Sequence, residues 1–367
     1  MSKKVLVFGK FDILHPGHMH ILNMAKKSGK VLVILESDEA ILEHKKYSPY
    51  NNQKARENNL KKLGFDVFIR HTKHNEDYLI STFEPDILCL GEDQKLLQDI
   101  FSKFKNLKIE VIKFLKSNIY KSSHLKTVLE DKTAGIYLID KPKGINSFKV
   151  VAIFRKVLNM KRVGFSGTLD PLASGLFIVA TGQATKLLDW FHDLPKVYQA
   201  NILFGHQSNT YDLEGEVKVN SKTIAFNKLE LEKVLKKFLG KQKQTVPIYS
   251  AKKVAGKKLY DLARAGKKVK APSKDVEIYN LKINKFKYPN LDLTVTVSAG
   301  TYIRSLAHDL GQATGTGALL SDLRRVAIGD YSIKKSLALD KVTKDSLAKY
   351  QIAPKDIIKN VNEFLVR

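Results

Sequence analysis

The stretch Gly167-Thr168-Leu169-Asp170-Pro171-Leu172-Ala173-Ser174-Gly175 sets one carboxylate on a tight turn between glycines, with a proline directly behind it. Such a turn can hold an acid at a cleft while the backbone stays close and rigid. The same spacing also describes an ordinary strand-to-helix turn whose Asp170 faces water. A second candidate lies near the start. Gly9-Lys10-Phe11-Asp12-Ile13-Leu14-His15-Pro16-Gly17-His18 follows a short apolar run. Pro16 suits the first turn of a helix. Two imidazoles at that positive end, beside outward N–H groups, suit an anionic phosphate. Two solvated surface histidines, or a metal site, are the competing readings. Metal is the weaker, because no third ligand accompanies the pair.

The elements around these residues divide into two textures. Up to about residue 115, apolar runs at 5–8, 31–35, 67–69, 87–90 and 109–112 read as buried parallel strands. Helical stretches at 17–28, 52–63 and 93–105 lie between them. This βαβ rhythm predicts an open parallel sheet covered by helices, a Rossmann-like α/β domain. Residues 116–134 are polar and lysine-rich, with a helix expected near 121–130, and the domain boundary falls there. Beyond it, 135–140 reads as a strand, and Asn146 or Ser147 can cap a helix with Val150, Val151, Phe154, Val157 and Leu158 on one face. Asn227 opens another helix, with Leu231, Val234, Leu235, Phe238 and Leu239 at three-four spacing. Alternating strands at 197–204, 276–287 and 291–298 predict a mainly antiparallel mixed sheet in an α+β domain. Residues 301–312 look helical. The expected domains are 1–131 and 135–367.

The C-terminal motifs together resemble the TruB family of tRNA pseudouridine synthases. GTLDPLASG matches that family's active-site loop, and Asp140-Lys141-Pro142-Lys143-Gly144 its opening motif. Lys196-Val197-Tyr198, Thr210-Tyr211-Asp212-Leu213-Glu214-Gly215 and Pro247 to Lys253 follow in order. Gly300-Thr301-Tyr302-Ile303-Arg304 and Leu323-Arg324-Arg325 complete the set. The resemblance implies Asp170, Tyr198 and Arg304 as catalytic residues. It implies RNA or base contacts at Lys141, Phe165, Asp212, Lys252, Lys253, Tyr302 and Leu323. Phe165 stands where the family usually has His, and Asn209 replaces a common aspartate. The implied reaction breaks the ribose C1′–uracil N1 bond, rotates the base and rejoins it through C5. It involves no redox change, so it implies no cofactor. A carboxylate could begin it by nucleophilic attack or by removing a sugar proton. About forty residues follow Ala327, too few for the complete PUA domain many relatives carry.

The N-terminal segment resembles the HxGH motif of cytidylyltransferase-like nucleotidyltransferases. That resemblance implies a nucleotide site at Gly9, Phe11, Asp12, His15, His18, Lys46, Arg56 and Asp93, taking CTP or ATP with Mg2+. No residue is assigned to a resident metal.

Composition agrees with a polyanionic partner. Lys and Arg total 63 against 37 acids, a formal charge of +26. A solvated lysine surface would give the same total. The lone Cys89 sits in an apolar run and can form no internal disulfide. Neither a signal peptide nor a membrane-length apolar run is evident, so the expected compartment is the cytoplasm. The combined expectation is a synthase acting on the T-loop uridine of tRNA at position 55, fused to a nucleotide-binding domain. Two alternatives stand beside it. One places the principal activity in the N-terminal domain, as FAD-synthase-like nucleotidyl transfer. The other is a non-catalytic tRNA-binding or folding protein.

Overall fold

The computed structural model describes residues 2–92, 94–113, 122–220, 225–254, 256–265 and 271–358. They fall into two compact units. One comprises the chain up to Ala134 and resumes at Ile352; the other is Gly135–Gln351.

The first unit runs β1 (Lys4–Gly9), α1 (Pro16–Ser28), β2 (Lys30–Glu36), α2 (Asp38–Lys45), α3 (Gln53–Lys62), β3 (Asp66–Arg70), α4 (Glu76–Phe83), β4 (Ile87–Gly91), α5 (Lys95–Phe101), β5 (Lys108–Ile112) and α6 (Ser122–Glu130). Its sheet has the order β3-β2-β1-β4-β5 and is parallel throughout. Strand alternation sends Val5 and Val7 to one face, against Met19, Leu22 and Ala25 of α1 and Leu60 of α3. Leu6 and Phe8 go to the other, against Leu79 of α4 and Phe101 of α5. Both faces are covered, which is why the strands read as continuous apolar runs. The five expected strands are all present. α2 and α4 were not expected, because each spans only eight residues, about two turns. Both have side-chain caps, Ser37 and Asn75. Cys89 is fully buried, and burial followed by the Glu110 charge pushes its thiol up to about 12.

The second unit runs β6 (Gly135–Lys141), α7 (Ser147–Leu158), β7 (Val163–Ser166), β8 (Ser174–Thr181), α8 (Leu188–Asp193), β9 (Lys196–Phe204), β10 (His206–Ser208), β11 (Val217–Val219), α9 (Lys228–Lys236), β12 (Gly240–Thr245), β13 (Lys253–Val254), β14 (Lys257–Lys258), α10 (Leu259–Arg264), β15 (Ser273–Lys287), β16 (Asn290–Val297), α11 (Ile303–Ala313), β17 (Ala318–Ile328), β18 (Tyr331–Ser332), β19 (Leu337–Ala338) and α12 (Lys344–Tyr350). The main sheet follows β12-β15-β16-β9-β17-β8-β6-β19, with β7 on β8 and β18 on β17. It is mixed: β17–β8 and β6–β19 are parallel, the other pairs antiparallel. α7, α9 and α11 bury Val150, Val151, Phe154, Leu231, Leu235, Ile303, Leu306 and Leu310 in one core with it. Each such side chain contributes about 1.5–3 kcal/mol. Asn146 caps α7, and Asn227 with Glu230 forms a capping box on α9. Among the described residues no helix is long and apolar enough to cross a membrane.

Candidate active site

Asp170 lies on the connection between β7 and β8, and supports from several directions hold that loop. Ser147, the first residue of α7, donates from Oγ to the Leu169 carbonyl at 3.0 Å and accepts from the Leu169 amide at 3.1 Å. The Gly144 amide donates to the Pro171 carbonyl at 2.8 Å, and Ala173 N to Asp170 O at 3.0 Å. The buried Arg325 guanidinium donates to Gly167 O at 2.9 Å and Leu176 O at 2.8 Å, one contact on each side of the turn. Two glycines allow this approach. Gly175 has φ +108°, and a Cβ there would meet the Arg325 carbonyl oxygen at 2.3 Å. Gly167 has φ +72°, with Arg325 Nη1 3.0 Å from where its Cβ would be.

Arg304, in the first turn of α11, meets Asp170 directly beside a cavity. Its Nε lies 2.9 Å from Asp170 Oδ2 and 3.5 Å from Asp212 Oδ2, at ion-pair distance but off the N–H axis. Its Nη1 donates to Thr210 O and its Nη2 to Tyr249 O, each at 3.0 Å. The three side chains differ in exposure: 6% for Arg304, 2% for Asp212 and 40% for Asp170. The guanidinium is therefore a fixed buried charge with a buried acid behind it and an accessible acid in front. A cavity of about 310 Å³ adjoins the pair. Leu169, Asp170, Tyr198, Tyr302, Arg304 and Leu323 are among its lining residues, and Lys252 lies at its wall. Tyr198 stands on β9, opposite Val295 of β16 and Arg325 of β17.

The surrounding electrostatics are strongly biased. Desolvation, then the Asp212 and Asp170 charges, push the Glu214 carboxyl up. Burial raises the Tyr302 phenol. Burial also lowers Lys141 and Lys196, each to about 8, although the Asp170 charge opposes this at Lys141. Both lysines are consumed by carbonyls. Lys141 Nζ donates to Pro142 O at 2.9 Å and Ile145 O at 2.6 Å. Lys196 Nζ donates to Phe191 O at 3.2 Å, Leu194 O at 2.6 Å and also His192 O, closing the end of α8.

The structure thus gathers Asp170, Tyr198, Arg304, Tyr302, Leu323 and Lys252 at one cavity and leaves other candidates elsewhere. Lys141 is fully buried beneath the loop rather than presented to a ligand. Asp212 is buried too, accepting from Thr210 Oγ1 at 2.5 Å and Glu214 N at 3.0 Å, and so backs Arg304 instead of facing a base. Phe165 is absent from the cavity lining. It stacks on Phe177 at 5.0 Å, with the exposed Phe148 edge-on at 5.5 Å, because β7 turns it toward the core. The Lys253 side chain lies outside the described residues. Ser147 and Arg325 were not assigned from the sequence as supports of the loop; bonds spanning 22 and 158 residues leave no trace in local spacing.

In the first unit, His15 caps α1, with Nδ1 accepting from the His18 amide at 3.3 Å. The imidazoles stack with centroids 3.7 Å apart. Burial lowers both, His18 to about 4, so the pair is neutral near pH 7. Arg56 departs from its expected role as a phosphate-binding cation. It is fully buried, with Nη2 2.6 Å from Asp38 Oδ1, Nη1 donating to Lys10 O at 2.6 Å and Nε to Asn51 O at 3.1 Å. Asp12 accepts from the amides of Tyr50 and Asn51 at 2.9 and 2.7 Å. These two residues clamp the 10–12 and 50–51 segments together. Phe11, at φ +47°, packs its ring into the core, 2.7 Å from where a Cβ on Gly9 would be. Lys46 is an exposed left-handed cap of α2. Asp93 lies outside the described residues.

Comparison with known proteins also distinguishes two regions, with other boundaries than the two compact units. Residues 155–303 match the TruB family pseudouridylate synthase N-terminal domain, and 304–365 the tRNA pseudouridylate synthase B C-terminal domain. Residues 6–151 match a cytidylyltransferase-like domain. A tRNA pseudouridine synthase B of Fusobacterium nucleatum is 44% identical over 200 residues, 54% of this chain and 69% of that protein. That of Opitutus terrae is 38% identical over 228 residues, 60% of this chain and 95% of that protein. A chain in a crystal structure of a Cbf5-Nop10-Gar1 complex is 26% identical, covering 62% of this chain and 60% of its own, with a TM-score of 0.46. With its cytidylyltransferase-like region leading into both synthase domains, the chain belongs to the TruB family of pseudouridine synthases.

Proposed function

We propose that the chain converts the T-loop uridine of tRNA, position 55, to pseudouridine in the cytoplasm, with Asp170 as the catalytic carboxylate. The observation that carries this reading is the pairing of an accessible Asp170 with a buried Arg304 at the cavity. A guanidinium stays charged at any physiological pH and favours the ionised acid. The uridine must leave its stack to reach that cavity. Asp170 then acts at the ribose, by attack on C1′ or removal of a sugar proton; both routes need the carboxylate free of a proton. The C1′–N1 bond breaks, the base turns, and a C1′–C5 bond replaces it as the carboxylate leaves C1′ or returns the sugar proton. The C5 proton departs and N1 gains one, so atoms balance without a cofactor. Tyr198 lies against the base and assists loss of the C5 proton. Lys252 meets the RNA backbone. Incubation with unmodified tRNA, followed by mass-spectrometric mapping, tests this. Pseudouridine at position 55 is expected, and its absence there overturns the reading.

For the first unit the reading is nucleoside-triphosphate binding at His15 and His18, with magnesium. Its support is the start of α1, where the neutral imidazole pair meets backbone N–H groups. Arg56 takes no part. Calorimetry with CTP and ATP in magnesium tests this reading; a signal surviving in the double variant His15→Ala, His18→Ala overturns the placement.

A further inference from the structure

The loop behind Arg304 contains a strained residue that the synthase reading does not use. Tyr211 has φ +64°, a left-handed backbone that side chains other than glycine seldom adopt. Its ring stacks on His308, with centroids 4.0 Å apart and planes 17° from parallel. His308 lies four residues after Arg304 on α11, so the two share one face of the helix. Both neighbours of Tyr211 touch Arg304. Thr210 O accepts from Nη1 at 3.0 Å, and Asp212 Oδ2 lies 3.5 Å from Nε. The Tyr211 carbonyl is itself held by the Leu320 amide at 2.9 Å.

We propose that Tyr211 and His308 form a positioning pair, whose ring stack holds the 210–212 turn on Arg304 and so aims that guanidinium at Asp170. The left-handed residue is the bend that turns Thr210 O and the Asp212 carboxylate toward the same guanidinium. An unsupported bend of this kind would relax, carrying both acceptors away from Arg304. The stack one helical turn along opposes that relaxation. Tyr211 and His308 touch no reacting atom in this scheme, and they act through Arg304. The proposal rests on the reading of Asp170 and Arg304 as the catalytic pair.

The test is single-turnover pseudouridine formation with enzyme in saturating excess over unmodified tRNA, and tRNA affinity measured separately by filter binding. Tyr211→Ala and His308→Ala should each slow the rate roughly 10–100-fold, the scale of an ångström-sized misplacement. The tRNA Kd should stay within about twofold, because phosphate contacts elsewhere carry binding. The double variant should be no slower than the worse single one, since both remove one interaction. Tyr211→Phe and His308→Phe keep a ring and should recover most of the rate. Tyr211→Gly fits the left-handed backbone without strain, so it should fold as well as wild type and still be slow. Unchanged rates in the folded Ala and Gly variants overturn the proposal. So does a loss confined to Kd, which would make Tyr211 an RNA contact. Phe variants as slow as Ala also overturn it, because the hydroxyl or imidazole would then be acting directly. Wild type that forms no pseudouridine fails the underlying reading instead, so the two failures are distinguishable.

Discussion

At the residue scale the site turns on one guanidinium shared by two acids of unequal exposure. Asp212 is buried with Arg304, whereas Asp170 is open to the cavity. If Asp170 loses its charge or moves during the reaction, Arg304 keeps a counter-ion. That spares the cost of an isolated buried charge. Asp170→Asn should lower the turnover rate by on the order of 10³-fold or more while leaving tRNA binding near normal. Near-normal turnover would remove Asp170 from its role. Tyr198→Phe should keep binding and lose roughly 10²-fold in rate, the scale of a positioned proton acceptor. An unaltered rate in a single-turnover assay would leave Tyr198 as a packing residue only. Motif order picked out Asp170, Tyr198 and Arg304, which the structure brings to one cavity. The fate of Lys141, Arg56 and Asp212 was not legible in the sequence. A buried cation satisfied by carbonyls has the same local sequence as one facing a phosphate, and only the distant partners tell them apart.

At the element scale, the apolar runs and capping residues identified the five strands of the first unit, four of the second (β6, β9, β15 and β16) and the capped helices α7 and α9, while the central strands β8 and β17 went unread. What escaped was the way α7 and β17 grip the Asp170 turn, because those contacts are made by one hydroxyl and one guanidinium over long sequence distances. Ser147→Ala would strand the Leu169 amide and carbonyl without that partner. It should cost about 2 kcal/mol in urea unfolding and slow single turnover, with tRNA affinity held. Retention of both stability and rate would show that the turn holds its shape unaided. Gly175→Ala should be harsher, because a β-carbon there meets Arg325 backbone at 2.3 Å in a left-handed conformation. A loss of at least about 2–3 kcal/mol is expected. A melting temperature equal to wild type would contradict the close approach.

At the scale of the whole molecule, the first unit carries an acid response of its own. The folded first unit holds His18 at about 4, against 6.5 for a free imidazole. Below pH 6.5 the unfolded chain therefore takes up a proton that the folded chain refuses until about pH 4. Stability is full above pH 6.5 and declines as pH falls through that window, by on the order of 2–3 kcal/mol. His15, also lowered, acts in the same direction. Amides of β1 and α1, corrected for intrinsic exchange, should lose hydrogen-exchange protection between pH 7 and 5. His18→Gln should reduce that change. Protection independent of pH would contradict a buried neutral pair.

The connectivity of the first unit also bears on how the chain is made. A ribosome delivers the five parallel strands early, but Ile357 and Ile358, both buried, belong to the same unit and emerge only after Gln351. The entire second unit is synthesised in between and can fold once its own residues are out. The first unit to begin is thus the last to be completed. Throughout that interval its nascent form lacks the cover those two isoleucines supply, which makes translation of the synthase unit the period in which the partly built first unit is most exposed to misassociation.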